Sequence, residues 1–155
     1  MTAEELKKRF SMGAHEENGS FAECHYESRE PGRPASGSIY YYVAPGEVTA
    51  FHVIDCDEYW CYTAGDTLEI WQFDEDGTLT KHLLGIEGEA VPLVYLRKGT
   101  YFASRHREPG EEGTFLTCIT VPRFTYEGFR MLSEAEMREK FPLSEGFYTG
   151  GPDKD

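Results

Sequence analysis

The side chains best suited to chemistry in this chain are His52 and Glu58, which are separated by five residues and flanked by Gly46 and Gly65. An imidazole and a carboxylate that face each other can move protons next to a carbonyl group, and they can also supply part of a metal site. The residue two positions after His52 is Ile54, which has no lone pair to offer a metal ion. The pattern therefore favours acid–base chemistry or ligand binding over an ordinary metal centre.

The alternation of side chains along β-strands decides which residues can share a pocket with this pair. Residues two apart point to the same face of a strand, so an inward-facing His52 places Ile54 inside as well. After the next turn, Glu58, Trp60 and Tyr62 share a face for the same reason. The sequence thus predicts an apolar and aromatic cup around one imidazole and one carboxylate, which is the usual form of a small-molecule site.

Short β-like runs, broken by Gly, Pro and Asp, follow one another along most of the chain. They are residues 38–43, 49–54, 58–63, 68–73, 78–84, 91–96, 101–104 and 115–121. Closely spaced runs with turn signals between them favour an all-β antiparallel barrel or sandwich over a parallel α/β sheet.

Helices are predicted only near the two ends of the chain. Thr2 with Glu5, and Ser133 with Glu136, have the spacing of capping boxes that open helices. The tail from Tyr148 onward is expected to be frayed. The sequence therefore divides into an N-terminal helix, a β-barrel domain, and a C-terminal helix with its tail, over residues 1–10, 11–132 and 133–155.

Composition narrows the classes of partner. The 155 residues carry a formal charge of −13, which repels phosphate backbones and anionic lipid surfaces, so we expect no nucleic-acid or membrane partner. The charged N-terminus lacks the apolar core of a signal peptide, and none of the four cysteines forms a Cys-x-x-Cys pair. We therefore expect a cytoplasmic protein with reduced thiols.

Several short motifs, in one order and spacing, resemble a largely uncharacterised branch of the cupin superfamily whose members open with His-Pro-Glu-Gly-Gly. The matching stretches are His15-Glu-Glu-Asn-Gly19, Ser38-Ile-Tyr40, His52 with Glu58-Tyr-Trp60, Gly65-Asp-Thr-Leu68, Leu84-Gly85 and Pro122-Arg-Phe-Thr-Tyr-Glu-Gly-Phe129. The resemblance covers about residues 10 to 132. It implies a cupin-type antiparallel β-barrel, or jelly roll, which is usually a homodimer with a small-molecule pocket in the barrel mouth.

The same resemblance implies a site. It places Tyr40 and Tyr42 inward and Phe102 opposite His52. Cupin metal sites take imidazoles at the positions that Ile54 and Phe102 occupy here, so we expect no metal and no other cofactor.

The chain also departs from the branch at three positions. Glu16 stands where the opening motif has Pro, Asn18 where it has Gly, and Arg123 where the late motif has Gly. His15 keeps its place in the opening motif, where it either reaches the rim of the pocket or stabilises a turn.

Three functions remain open from the sequence. The first is a metal-independent isomerase, epimerase or lyase acting on a small polar, sugar- or carbonyl-like molecule. Its catalytic residues would be His52, Glu58 and Tyr40, and its ligand-binding residues Tyr42, Ile54, Trp60, Tyr62 and Phe102. The second is a binding protein without chemistry, and the third is a metalloenzyme in which His25 or a tyrosine joins His52 and Glu58. A purely structural alternative pairs Glu58 with an arginine such as Arg105.

Overall fold

A computed structural model of the chain describes residues 2–27, 32–108 and 110–150, without the side chains of Tyr26 and Glu27. Within these residues the α-helices are α1 (Ala3–Arg9), α2 (Glu134–Lys140) and α3 (Glu145–Thr149). The strands are β1 (Gly13–Ala14), β2 (Ser20–Glu27), β3 (Ser36–Val43), β4 (His52–Ile54), β5 (Asp57–Gly65), β6 (Leu68–Phe73), β7 (Leu79–Leu84), β8 (Leu93–Leu96), β9 (Tyr101–Arg105), β10 (Thr114–Val121) and β11 (Phe129–Met131).

The strands form two antiparallel sheets that enclose one apolar interior. The first sheet has the order β1-β2-β3-β10-β5-β8, and the second has the order β11-β4-β9-β6-β7. The interior between them is filled by side chains such as Tyr41, Trp60, Leu68, Phe102 and Leu116, each no more than 1% exposed. The all-β jelly-roll prediction is confirmed.

Both predicted capping boxes are present. The Thr2 hydroxyl accepts from the backbone N–H of Glu5 before α1, and the Ser133 hydroxyl accepts from the N–H of Glu136 before α2. The prediction of a frayed tail is wrong at Tyr148, because α3 continues to Thr149 and Tyr148 packs against Phe147. The last five residues lie outside those that the structure describes.

A second apolar layer covers the outer face of the second sheet. All six residues of β6 are buried, because its outward side chains Trp71 and Phe73 pack against Phe147 and Phe141 from the C-terminal helical segment. Burial of side chains of this size stabilises the fold by about 1.5–3 kcal/mol each. The C-terminal segment therefore shields the outer face of the second sheet from solvent.

The outer face of the first sheet stays open at its edge strand β8. Leu93 is 53% exposed, Tyr95 is 45% exposed, and the Tyr95 ring lies 5.2 Å from that of Tyr59 on β5. The homodimer that the cupin resemblance implies stays a prediction. Among the described residues, no helix is long and apolar enough to cross a membrane.

Candidate functional site

A cavity of about 250 Å³ opens at one end of the barrel. Its polar lining comes from the turn before β2, from β2 and β3, from the start of β4, from the paired strands β5 and β10, and from the segment after β10. Its titratable and charged side chains include Glu17, His52, Glu58, Cys118 and Arg123. The cavity is small beside typical ligand pockets, so it suits a molecule of few heavy atoms.

A tight turn between β1 and β2 contributes two side chains, His15 and Glu17, to the lining of the cavity. The N–H of His15 donates to the carbonyl of Gly19 at 3.0 Å, and the N–H of Asn18 donates to the carbonyl of His15 at 3.1 Å. Asn18 and Gly19 have φ angles of 76° and 81°, which asparagine tolerates and glycine adopts freely. A Cβ at Gly19 would lie 2.7 Å from the Tyr41 ring, so glycine also permits the close approach of the turn to β3.

His52 and Glu17 form a buried ion pair at the centre of the site. The His52 Nε2 lies 2.9 Å from a Glu17 carboxylate oxygen, and its Nδ1 lies 3.0 Å from the carbonyl oxygen of Ala50. Both partners are oxygen acceptors, so both ring nitrogens act as donors, which is the imidazolium form. The N–H of Ala50 donates to the Glu17 carbonyl at 2.9 Å, which joins the turn to the start of β4.

The pKa values of this pair move toward mutual ionisation. Burial by itself raises the pKa of Glu17, but the charge and hydrogen bond of His52 outweigh it, and the pKa lies below its ordinary value. Burial likewise lowers the pKa of His52, but Glu17 and the Ala50 carbonyl outweigh it, and the pKa lies above its ordinary value. Both shifts favour the ionised pair, Glu17 carboxylate with His52 imidazolium.

Glu58 faces the same cavity but differs from Glu17 in its protonation. Its side chain is buried, and it makes no ion pair with a lysine or arginine among the described residues. Burial, followed by repulsion from Glu17, raises the pKa of Glu58 to about 7, although His52, the Trp60 indole and the Cys118 thiol oppose the shift. Glu58 can therefore hold or release a proton near neutral pH.

Three further polar side chains of the cavity lining, His15, Tyr41 and Cys118, are neutral. The N–H of Glu17 donates to Nδ1 of His15 at 3.3 Å, so the proton of His15 sits on Nε2, and burial lowers its pKa. Burial and nearby carboxylates raise the pKa of Cys118 and of Tyr41 well above their ordinary values. Cys118 is therefore a thiol rather than a nucleophilic thiolate.

Strand register brings together three of the side chains that the sequence singled out. His52, Ile54 and Glu58 all line the cavity. Glu58 lies opposite Thr120 across the β5–β10 pair, and directly opposed residues share a face, so Thr120 lines the cavity beside it.

The prediction that Tyr40 and Tyr42 face the interior is wrong. Tyr41 occupies that face, opposite Leu116 of β10. Tyr40 packs outside on Phe10 with ring centroids 4.6 Å apart, and the Tyr42 hydroxyl donates to the carbonyl of Glu112. The physical reason is that Phe10, at the end of α1, covers the outer face there and makes it as favourable for an aromatic ring as the inner one.

Three further predicted ligand contacts lie in the barrel core and do not line the cavity. Trp60 and Phe102 are buried in the core, and Phe102 stands opposite His52 as expected, with ring centroids 4.3 Å apart. Tyr62 packs against the same core and donates its hydroxyl to the carbonyl of Gly65. These rings pack in the core beside the cavity and are not placed to touch a ligand.

Two other sequence alternatives are not what the structure contains. Arg105 pairs with Glu69 at 2.9 Å and not with Glu58. His25 is exposed on β2 and does not line the cavity beside His52.

Sequence reasoning missed Glu17, the partner of His52. A signal was present, because Glu17 holds the glutamate position of the His-Pro-Glu-Gly-Gly motif while the neighbouring positions have changed. What the sequence lacked was the fold of the turn, which carries Glu17 across to a strand start 35 residues later in the chain.

The donor set does not fit the metal site that the fold suggests. Ile54 and Phe102 cannot donate lone pairs, and both nitrogens of His52 already donate to oxygen. Among the residues that the structure describes, no group of three or more His, Cys, Asp or Glu side chains is arranged to hold a metal ion.

Comparison with known proteins gives the family and the fold. A sequence profile of the family described as Cupin superfamily (DUF985) matches residues 4–132. A crystal structure of a protein from Shewanella oneidensis superposes with a TM-score of 0.88 at 26% identity, covering 97% of this chain and 96% of that one. A hypothetical protein from Leishmania major gives 0.85 at 24% identity, covering 97% and 99%.

A more distant structure shares the barrel alone. Oxalate decarboxylase from Bacillus subtilis superposes with a TM-score of 0.62 at 17% identity, over 90% of this chain and 35% of the decarboxylase. A likeness at this identity carries the fold and no chemistry. The comparison with curated proteins gave no match.

Proposed function

We propose, from the premise that the chain belongs to the DUF985 family of the cupin superfamily, that its barrel mouth binds a small polar molecule and transfers protons on it without a metal. One observation carries the proposal. Glu58, with a pKa of about 7, faces the same small cavity as the ionised Glu17–His52 pair. Two carboxyl groups held in different protonation states within one site are a pattern of acid–base enzymes.

In this proposal Glu58 is the group that gives and takes the proton. General acid–base catalysis is most efficient when the pKa of the group lies near the working pH, as it does here. His52 is a fixed positive charge beside the cavity, which stabilises negative charge that develops on a substrate oxygen. Glu17 keeps His52 ionised and oriented.

The reaction class that suits this set is proton transfer at a carbon next to a carbonyl. Isomerases, epimerases and lyases of small hydroxy-carbonyl compounds all need such a step. Tyr40 takes no part in this step, because its ring lies on the outer face against Phe10. Of the two tyrosines that line the cavity, Tyr41 and Tyr126, Tyr41 donates its hydroxyl to the carbonyl of Asn18.

One observation favours a binding protein without chemistry as the second candidate. Both ring nitrogens of His52 are occupied by Glu17 and the Ala50 carbonyl, so His52 cannot accept a proton until that pair is broken. A site in which His52 and Glu58 only orient a ligand has the same geometry. Chemistry on a bound probe separates the two candidates.

Solvent exchange provides that test. The protein is incubated in D₂O with dihydroxyacetone, glyceraldehyde and pyruvate, and the C–H signals next to each carbonyl are followed by proton NMR. We expect at least one probe to lose this signal faster with the protein than without it, and Glu58→Gln to abolish the gain. The exposed neighbour substitution Glu16→Gln is the matched control and should leave the rate unchanged. Exchange that is no faster with the protein than without it, for every probe that binds, would leave only the binding function, and a gain that survives in Glu58→Gln would exclude Glu58 as the proton-transfer group.

A further inference from the structure

The mouth of the cavity carries an arginine that the proposed chemistry does not use. Arg123 follows β10 and lines the cavity, and its guanidinium forms an ion pair with the carboxylate of Glu23 on β2, which also lines the cavity. Resting on the proposed function, we propose that the ligand is a small carboxylic acid with a second oxygen function, and that Arg123 binds its carboxylate.

The position of Arg123 is fixed by its stem and its backbone. Its Cγ lies 2.8 Å from where a Cβ on Gly37 would be, so the aliphatic stem rests directly on the glycine backbone of β3. Its carbonyl oxygen accepts from Nε of Arg33 at 2.7 Å. In the next residue, the N–H of Phe124 donates to the hydroxyl of Thr120 at 2.9 Å. These contacts hold the start of the arginine side chain, and its guanidinium meets Glu23, which lines the same cavity.

The group that a guanidinium selects is a carboxylate. Its planar donors match the two oxygens of a carboxylate better than they match a hydroxyl or an amide. Glu23 supplies this group from within the chain, so the ion pair already displays the contact that a ligand carboxylate would make. The Arg123 and Glu23 side chains are 31% and 49% exposed, and a pair this exposed is weak enough to be exchanged.

The inner end of the cavity selects the second oxygen function. Glu58 in its protonated form donates a hydrogen bond, and in its ionised form it accepts one. Both Arg123 and Glu58 line the cavity of about 250 Å³, so a small ligand with a hydroxyl or carbonyl oxygen beside its carboxylate has a group for each of them. A short 2-hydroxy or 2-oxo acid combines both groups in few atoms.

The overall charge of the chain sets the conditions of the test. A formal charge of −13 opposes the approach of any anion. At about 0.15 M salt this field is screened beyond about 8 Å, so that the local contact with Arg123 decides binding. All probes are therefore compared at that ionic strength.

The experiment uses matched probes with the full chain. Binding of lactate and pyruvate is measured by titration calorimetry, with lactamide and pyruvamide as uncharged partners and propionate as an acid without the second oxygen. We expect lactate or pyruvate to bind at least about tenfold more tightly than its amide and than propionate. Arg123→Gln should remove the preference for the acid, Arg123→Lys should keep part of it, and Glu23→Gln should raise the acid affinity.

Three outcomes would overturn the inference. They are equal affinity for acid and amide, an acid preference that survives Arg123→Gln, and failure of every acid to bind. An unchanged unfolding midpoint of each variant without ligand shows that the fold is intact. The proposed chemistry is judged separately, because its readout is solvent exchange in Glu58→Gln, and acid binding that persists without any exchange would leave this inference standing while proton transfer fails.

Discussion

Nε2 of His52 lies 2.9 Å from the carboxylate of Glu17, and this contact joins the turn between β1 and β2 to a strand of the opposite sheet. The same contact sets the electrostatics of the cavity. It keeps one carboxylate ionised, and the charge of that carboxylate helps to keep the proton on Glu58. The turn between β1 and β2 is therefore part of the site and does more than connect two strands.

The first prediction concerns Glu58→Gln, which keeps the shape and hydrogen bonding of the side chain but cannot exchange a proton. We expect the fold to survive and the turnover of any substrate to fall about a hundred- to ten-thousand-fold. If Glu58 only orients a ligand, binding should weaken by about tenfold to a hundredfold. Steady-state kinetics with calorimetric binding on the same variant separate the two cases. Ligand affinity that is unchanged per folded molecule would mean that Glu58 lies outside the site.

The second prediction is that the ionisation of Glu58 lowers the free energy of unfolding as the pH rises. Its pKa is about 7 in the folded protein against an ordinary 4.5, so the folded state binds more protons than the unfolded state between these values. Stability should therefore fall from about pH 4.5 to about pH 7, by on the order of 3 kcal/mol from this group. The difference in unfolding free energy between Glu58→Gln and the natural chain, from urea curves at each pH, isolates the effect. A difference that stays flat across this range would show that Glu58 ionises normally.

The third prediction concerns the buried ion pair. Glu17→Gln leaves His52 without its carboxylate, and removal of one partner of a buried pair costs about 3–5 kcal/mol. The pair stabilises the fold above the ordinary Glu pKa of 4.5, because the pKa of Glu17 is lowered, and below the ordinary His pKa of 6.5, because the pKa of His52 is raised. The loss should therefore be largest between about pH 5 and 6.

The control for that prediction is Glu16→Gln, a neighbouring substitution on an exposed side chain. It should change the unfolding free energy by less than about 0.5 kcal/mol. If Glu17→Gln and Glu16→Gln have the same small effect at pH 5.5, the His52–Glu17 contact does not stabilise the protein.

The fourth prediction concerns the turn itself. Gly19→Ala forces a side chain into a positive φ of 81° and places its Cβ 2.7 Å from the Tyr41 ring. We expect a loss of about 1–3 kcal/mol in thermal or urea unfolding. Gly13→Ala is the matched control, because no heavy atom lies within 4 Å of its added Cβ. Equal stability of the two variants would mean that the turn adapts without strain.

Much of the fold could be predicted because local patterns agree with it. The run Leu68–Phe73 is a strand with the predicted bounds, and Thr2 and Ser133 cap helices as expected. The outer layer on β6 could not be predicted, because Trp71 and Phe73 are covered by residues some 70 positions later. Alternation identifies two faces of a strand but not what packs on each.

The site was harder to predict for two reasons. Tyr40, Tyr41 and Tyr42 are consecutive, so polarity does not say which of them points inward, and α1 makes the outer face apolar as well. Glu17 reaches His52 only through the geometry of a turn with two positive φ angles. His52 and Glu58 could be predicted because each lies on a regular strand, His52 on β4 of the second sheet and Glu58 on β5 of the first.

The most direct test of the account is the ionisation of Glu58 itself. Carboxyl-carbon NMR of the protein labelled at glutamate, with the Glu58 resonance assigned by its loss in Glu58→Gln, gives this pKa across a pH titration. We predict a midpoint at about 7, which would leave Glu58 able to exchange its proton inside the cavity near neutral pH. A midpoint near the ordinary value of 4.5 would contradict the account, because Glu58 would then be a permanently ionised carboxylate without an acid–base role.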